Sequence, residues 1–273
     1  LFRSIAGNSF YGAKLIAGPT EKSKTSLPPL SKNVLASLDE LFKTNPSEQQ
    51  EMGAVNSVKS SVHSFEAATT YLVSKNPIVI ENVSVTGNVI IKSAQQINVK
   101  ASAHLKDVIL VAPTVIIEEG TKGVFQVMAS KQITVHKNCE LSYPSSLVLY
   151  QEALDTSQRN TPNSTINQIF IDSGALIRGV VLYYNKKEVS NFDTAIKIES
   201  GATVKGQVYC NGNIDLQGTV TGTVLTKQFL ANQAGSIYVN HIYNGKINND
   251  ELSTTYGGLL FEQQPKTIMK WLY

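Results

Sequence analysis

Short apolar pairs recur along this chain at a fixed interval, and this periodicity restricts the possible folds more than any other feature. The pairs fall at positions 97/99, 115/117 and 133/135, each 18 residues after the last, within similar segments that begin at Ala94, Ala112 and Ser130. Self-similarity at such a short period is typical of solenoids. Each turn alone exposes one small apolar face, and stacking at strand spacing joins these faces into a continuous core.

A second repeat follows, with the form apolar-x-Gly-x-Val-apolar. It occurs at residues 177–182, 204–209 and 220–225, and the first two copies are preceded by identical Ser-Gly-Ala corners at 173–175 and 200–202. The glycines of the first two copies lie further apart than those of the last two. We interpret the polar stretch 185–193 as a loop extruded from one turn.

These repeats predict an all-β, single-stranded parallel β-helix, with a right-handed sense because turns of 16 to 18 residues suit it. A β-sandwich also has alternating strands, but it does not explain regular steps with near-identical corners. A left-handed β-helix acyltransferase would need a sustained six-residue period. Val208, Ile214 and Val220 follow that step, but the region 94–149 breaks it, so we reject this alternative.

The chain divides into three predicted parts. Residues 1–68 form a mixed segment with two short amphipathic helices, one from Val34 to Phe42 after Ser31, the other from Val55 to Phe65. Residues 69–245 form the β-helix, and residues 246–273 form a capping or docking tail. Solenoid ends expose strand edges that polymerise unless covered. We therefore expect the first helix to close the first turn. The tail residues expected to cap or dock are Leu259, Leu260, Phe261, Trp271 and Tyr273.

Composition narrows the functional classes. Charged residues make up 16% of the chain and its lysines are scattered singly, which argues against nucleic-acid binding. Cys139 and Cys210 fit neither a metal site nor a disulfide framework, so we expect two semi-buried thiols. No apolar run reaches the length of a membrane span. The chain opens on Leu1 without a methionine, and we expect a leader or membrane anchor to precede it.

Carboxylates and tyrosines on the repeat could form a polysaccharide-binding or polysaccharide-cleaving site. β-Helical lyases and hydrolases place acids beside a basic residue on one face. Asp172 and Glu199 each precede a Ser-Gly-Ala corner, so they should stack in adjacent turns near Arg178. Tyrosines that could stack on sugar rings are Tyr183, Tyr184 and Tyr209. A solvated corner and ordinary strand tyrosines are the preferred interpretation. We expect no catalytic residue, metal ligand or cofactor.

The Ser-Gly-Ala-x-[Val/Ile]-x-Gly-x-Val turns, followed by Gly-Thr-Val-Thr-Gly-Thr-Val at 218–224, resemble those of bactofilins over about residues 170–230. Bactofilins are polymer-forming cytoskeletal proteins. The resemblance implies a β-helix that stacks end to end near a membrane, without nucleotide. The chain differs from that family in its length and its helical first segment. The whole chain is also similar to envelope proteins of the Bacteroidetes type, whose membrane anchor precedes a β-helical body.

Together these features predict a non-enzymatic structural or assembly protein of the bacterial cell envelope, acting as a scaffold through contacts with a protein partner or with itself. The expected compartment is the periplasmic face of a membrane, with a cytoplasmic, membrane-associated location as the alternative. The alternative functions are a carbohydrate-binding or carbohydrate-cleaving β-helix and a bactofilin-like filament subunit. The repeat and the missing catalytic constellation favour the scaffold.

Overall fold

The computed structural model describes residues 26–43, 60–151, 168–187, 192–233, 235–249, 252 and 256–262, together with the backbone of three two-residue strands. Within this part the protein is all-β, with a single helix, α1 (Lys32–Lys43). The strands are β1 (Ser9–Phe10), β2 (Ala13–Lys14), β3 (Gln50–Glu51), β4 (Ser60–His63), β5 (Thr70–Ser74), β6 (Ile78–Ile80), β7 (Ser84–Ser93), β8 (Gln96–Val99), β9 (His104–Ile117), β10 (Lys122–Val135), β11 (Glu140–Gln151), β12 (Gln168–Ile171), β13 (Leu176–Asn185), β14 (Thr194–Ile198), β15 (Thr203–Leu216), β16 (Thr219–Gln233), β17 (Ser236–Val239) and β18 (Lys246–Asn248).

Strands β3 to β16 and β18 form one parallel, solenoid-like sheet in which each turn of chain pairs with the turns before and after it. Strand β9 shows the arrangement. It lies between β7 and β10, and its residues pair with those of its neighbours in three runs that are separated by register shifts. These runs, at 104–106, 108–112 and 114–117, define the first, second and third faces of a turn. The backbone of each turn is thus hydrogen-bonded to its neighbours on three faces.

The two predicted repeats are confirmed by strand register. Ile97 pairs with Val115, which pairs with Ile133, and Gly206 pairs with both Gly179 and Gly222. The third-face column also continues beyond the predicted repeat, through Ile169, Ile196 and Ile214. The sequence does not reveal these later members of the column, because residues 152–167 and 186–193 interrupt the regular interval between turns. In sequence, both stretches fall between a strand of the second face and the third-face strand that follows it.

Columns of inward side chains fill the interior. On the third face, for example, Ile97, Val115, Ile133 and Ile169 are completely buried. Burying one such side chain stabilises the fold by about 1.5 to 3 kcal/mol relative to its exposed state. Cys139 and Cys210 are free, and both are completely buried, whereas the sequence suggested semi-buried thiols.

Glycine marks the corner between the first and second faces. Gly179, Gly206 and Gly222 have φ angles of 146°, 150° and 141°. A Cβ atom on Gly206 would overlap the carbonyl oxygen of Gly179, and one on Gly222 would overlap that of Gly206. Any larger residue would therefore separate successive turns at this corner.

Helix α1 agrees with the first predicted helix, but it packs along the second face of the stack, whereas the sequence suggested a cap on the first turn. Its one buried residue is Leu38, which belongs to a cluster with outward-facing second-face side chains from several turns. Those side chains form an apolar strip, and the apolar face of the helix covers it. The helix therefore lies on the flank.

The second predicted helix is wrong where the structure describes it. Residues 60–63 form strand β4, which pairs in parallel with residues 84–87 of β7. Val62 and Phe65, expected on a buried helical face, are exposed. Pairing with the edge of β7 satisfies the backbone here and overrides a weak helical pattern. Val55 and Val58 lie outside the described residues.

The predicted tail begins with one more rung of the stack. Strand β18 pairs in parallel with residues 219–221, so the sheet extends to Asn248. Before it, β17 pairs with β16 in the antiparallel sense. Residues 256–262 then lie on the same flank as α1, where Leu30 and Phe261 form an antiparallel bridge.

Candidate functional site

The two corner carboxylates do stack in adjacent turns. The backbone N–H of Asp172 donates to the carbonyl of Val135, and that of Glu199 to the carbonyl of Ile171, two equivalent positions one turn apart. Both side chains are already engaged. An oxygen of Asp172 accepts from the N–H of Ser173 at 2.7 Å, and Glu199 pairs with Lys197 at 2.6 Å.

Arg178 does not join these carboxylates. Its guanidinium lies 2.7 Å from a carboxylate oxygen of Glu140, and this hydrogen bond lowers the pKa of Glu140 below its ordinary value. Within the described residues, no group of three or more His, Cys, Asp or Glu side chains could hold a metal ion. The residues weighed as an alternative polysaccharide site therefore lie in separate pairs.

The tyrosine strip that was the alternative to ordinary strand tyrosines is not formed, because Tyr183 and Tyr184 are neighbours in a strand and face opposite sides of the sheet. Tyr183 points into the interior, where its hydroxyl donates to Gln151 at 2.9 Å. Tyr184 points outward and stacks on Tyr150 with ring centres 5.9 Å apart. Tyr209 is outward but covered, with 2% of its surface exposed. The three rings offer no common surface to a sugar.

Outward side chains of the second face form a continuous apolar strip along the stack, which we call the flank strip. Its members are Ile90, Val111, Met128, Val148, Tyr150, Leu182 and Tyr209. Apolar residues at outward positions demand a cover. Here the cover consists of α1 together with residues 27–30 and 256–262, including Leu259 and Phe261.

A polar clasp fastens the end of α1 to the flank strip. The carboxylate of Asp39 accepts from the Tyr150 hydroxyl at 2.8 Å and pairs with Lys186 at 2.7 Å. These bonds lower the pKa of Asp39, while burial and the Asp39 bond raise the pKa of Tyr150 to about 12. Lys92 donates to the carbonyl of Phe42 at 2.8 Å, so a cation meets the carbonyl end of the helix, where it is favourable.

The terminal segment 256–262 is fastened by directed hydrogen bonds. Tyr256 donates to the carbonyl of Gly179 at 2.8 Å, and it can approach because Gly206 has no side chain. The N–H of Leu259 donates to Gln207 at 2.6 Å. Backbone bonds also join the two covering segments, from Ser31 to the carbonyl of Leu260 and from Glu262 to that of Pro29.

The residues expected to dock or cap therefore separate into three groups. Leu259 and Phe261 pack on the flank strip, with the Phe261 ring 5.9 Å from that of Tyr209. Leu260 faces away and is 53% exposed. Trp271 and Tyr273 lie outside the described residues.

The last turns of the stack present a different surface, which we call the open end. Its exposed apolar residues are Ile237, Tyr238, Val239, Tyr243 and Ile247. Ile247 pairs with Val220, which is fully buried in the first-face column. Ile247 continues that inward column and yet is 40% exposed, because the described chain adds no further rung to this face beyond β18.

The sequence of the last turns is basic up to Asn249, and Asp250 and Glu251 follow it directly. Residues 216–249 contain no Asp or Glu, and their charged side chains are Lys227 and Lys246, with His241 nearby in sequence. The repeat pattern does not predict this surface. The exposure of Ile247 follows from its position in the last rung, which the sequence does not reveal.

Comparisons with protein-family models, with curated proteins and with solved structures give no match for this chain. In the part of the chain that the structure describes, no helix is long and apolar enough to cross a membrane.

Proposed function

We propose that this chain is a non-enzymatic structural protein, a β-solenoid that assembles with a protein partner through its open end. The observation that carries the proposal is Ile247, an inward-column residue left exposed in the last rung. Uncovered strand edges and contiguous apolar residues at one end of a sheet are features of interaction sites. The dispersal of Asp172, Glu199 and Arg178 into separate pairs supports a structural role over a polysaccharide-cleaving one.

In this proposal the solenoid is a right-handed, single-stranded parallel β-helix. The parallel pairing of each turn with the next supports this, because connections between parallel strands of one sheet are right-handed in nearly all proteins. Spacings of 18 residues from Leu105 to Gly123 and 16 from Thr203 to Thr219 also suit that form. The cell envelope stays the predicted compartment.

Site-specific photo-crosslinking in the native cells tests the use of the open end. A photoreactive phenylalanine would replace Tyr243, and the control would carry it at Phe192, an exposed aromatic residue outside the open end. We expect protein adducts from position 243 and few from position 192. Equal adducts from both positions, or none from position 243, would contradict the proposal.

A bactofilin-like filament is the second candidate, and the position of the covering segments favours it. The described parts of the two predicted caps, residues 32–43 and 256–262, lie on the flank strip and leave the open end uncovered. The test is light scattering after size exclusion, with negative-stain imaging over a concentration series. We expect the parent chain to form filaments and Ile247→Asp to prevent their assembly. A stable monomer at all concentrations would rule this candidate out and leave the heterologous partner.

A further inference from the structure

The chain contains two Asn-Gly pairs, at residues 211–212 and 244–245. An asparagine that precedes glycine can lose its side-chain amide spontaneously, because the conformational freedom of glycine lets its backbone nitrogen reach Cγ of the asparagine. The two pairs have the same sequence but different surroundings. The structure therefore indicates which of them reacts in the folded protein.

The first pair is restrained at both reacting groups. Oδ1 of Asn211 accepts from the backbone N–H of Asn185 at 2.9 Å, and Nδ2 of Asn211 donates to the carbonyl of Asn185 at 2.8 Å. The N–H of Gly212, which would have to attack, donates to Sγ of Cys210 at 3.3 Å. Attack on Cγ would break these hydrogen bonds within strand β15. Asn211 is therefore protected while the protein is folded.

The second pair lies at the open end, in a bend directly before β18. Asn244 is exposed and has a φ of 59°. Within the part of the chain that the structure describes, neither its side-chain amide nor the N–H of Gly245 makes a hydrogen bond. These two groups can therefore turn towards each other without the loss of a hydrogen bond, and the exposed position admits the water that the reaction consumes.

The reaction at this pair balances without any other reagent. The backbone nitrogen of Gly245 forms a bond to Cγ of Asn244, and the bond from Cγ to the side-chain nitrogen breaks. That nitrogen leaves as ammonia, with the proton that Gly245 gives up, and a cyclic imide remains. Water then opens the imide at Cγ to give aspartate, or at the main-chain carbonyl to give isoaspartate. In isoaspartate the main chain runs through Cβ and is one atom longer.

The longer main chain would disturb the contacts that place β18. Gly245 lies so close to the carbonyl of Leu216 that an added Cβ atom would overlap it. The N–H of Lys246 donates to the carbonyl of Gly218 at 2.9 Å, and the pairing of β18 with residues 219–221 begins there. An additional atom just before Gly245 displaces these contacts, whereas an ordinary aspartate leaves the main chain unchanged.

We propose that Asn244 is a site of spontaneous deamidation, and that its isoaspartate product loosens β18, the last rung of the stack. The freedom of Asn244 and Gly245 in the folded protein supports the first part, and the close packing of the residues that follow supports the second. The last rung thus changes with the age of the molecule. The inference goes beyond the proposed function, because it requires no partner.

Incubation of the purified protein in mildly alkaline buffer, followed by proteolysis and mass spectrometry, tests the site. We expect the peptide with Asn244 to convert to aspartate and isoaspartate forms at least about tenfold faster than the peptide with Asn211. The matched control is the same incubation in guanidinium. Unfolding removes the hydrogen bonds of Asn211, so the two identical pairs should then react at similar rates.

Two variants separate the longer main chain from the new charge. Asn244→Ser cannot form the imide, and freshly purified Asn244→Asp carries the new charge on a main chain of ordinary length. Hydrogen exchange of residues 246–248 is the measurement. We expect exchange there to rise in the aged parent protein in proportion to its isoaspartate content, and to stay unchanged in aged Asn244→Ser and in fresh Asn244→Asp.

Each part of the inference can fail separately. If Asn244 stays intact in the folded protein while the unfolded chain reacts, or if Asn211 reacts as fast as Asn244 in the folded protein, Asn244 is not the site. If Asn244 converts to isoaspartate and exchange of residues 246–248 does not rise, the last rung is not loosened by the longer chain. An equal rise in fresh Asn244→Asp would assign the loosening to charge and would also overturn the second part.

Discussion

At the scale of single residues, glycine determines how closely successive turns approach at the corner between the first and second faces. Gly206 lies between Gly179 and Gly222 and has a φ of 150°, and the site of its missing side chain is also next to the Tyr256 hydroxyl. One residue thus serves both the stacking of turns and the fastening of the terminal segment.

We expect Gly206→Ala to lower the free energy of unfolding by about 3 to 5 kcal/mol, because backbone strain adds to overlap with the carbonyl of Gly179. Gly120→Ala is the control, since its φ is also positive but no atom lies within 4 Å of the added methyl group. That change should cost about 1 to 2 kcal/mol. Denaturant unfolding followed by circular dichroism measures both, and equal losses would contradict the packing argument.

Burial should make both thiols unreactive in the folded protein. It raises the pKa of Cys139 to about 11 and that of Cys210 to about 12. At pH 8 about one Cys139 thiol in a thousand is then ionised, and the thiolate is the reactive form. We expect a disulfide reagent such as DTNB to label neither residue until guanidinium unfolds the chain. Rapid labelling of the native protein would show that the stack opens locally.

At the scale of elements, the helix is held to the stack by an apolar contact and by a polar clasp. The two differ in how they depend on pH. Leu38 packs on the flank strip at any pH, whereas the bonds that Asp39 makes to Tyr150 and Lys186 need an ionised carboxylate. The clasp lies at the end of α1 that follows the buried Leu38. Weakening it should loosen that end first.

The clasp gives α1 a predictable pH dependence. Because the pKa of Asp39 is lower in the folded protein than its ordinary value of 3.8, its contribution to stability is complete above that value and is lost as the pH falls through the lower pKa of the folded protein. We expect hydrogen exchange of residues 32–43, relative to β10, to rise over this acidic range. Asp39→Asn should flatten the dependence and Asp172→Asn should not. An unchanged profile in Asp39→Asn would contradict the clasp.

The strands were more predictable than the elements around them. The columns through Ile97 and Val115 could be found because an uninterrupted turn has a nearly constant length, and strand register then follows from inward alternation. Helix α1 was found from its 3.6-residue periodicity, but its location was not, since an amphipathic face does not specify what it covers. The flank strip was missed because residues such as Met128 and Val148 occupy outward positions that the alternation assigns to solvent. Tyr183, Tyr184 and Tyr209 were grouped by their positions on the repeat, whereas the pleat turns Tyr183 to the interior and the other two outward.

At the scale of the whole molecule, a segment that precedes α1 and a segment that follows the last rung meet on one flank. Residues 27–30 and 256–262 are joined by backbone hydrogen bonds and by the pairing of Leu30 with Phe261. Contacts in a solenoid are otherwise between neighbouring turns. This bridge couples segments that are far apart in sequence, so the cover should loosen as a unit.

Phe261→Asp tests this coupling. A carboxylate in place of the ring that packs on Tyr209 should release residues 256–262 and, through the Ser31–Leu260 bond, raise hydrogen exchange at the start of α1. ANS fluorescence should rise as the flank strip is exposed. Leu260→Asp is the control, because that side chain faces away from the strip. If both variants, or neither, expose the strip, the two segments are not one cover.

The insertions at residues 152–167 and 186–193 both fall between a second-face strand and a third-face strand. This common position indicates how a chain of this kind can acquire new sequence. Ile133 pairs with Ile169 as closely as it pairs with Val115, although one partner is 36 residues away and the other 18. Strand pairing therefore depends on the number of turns between two residues and not on the number of residues. Residues added at this corner leave the inward columns aligned. The corner after Gln151 or Asn185 is thus a natural place to graft a foreign epitope or enzyme, with the stack serving as a rigid display scaffold.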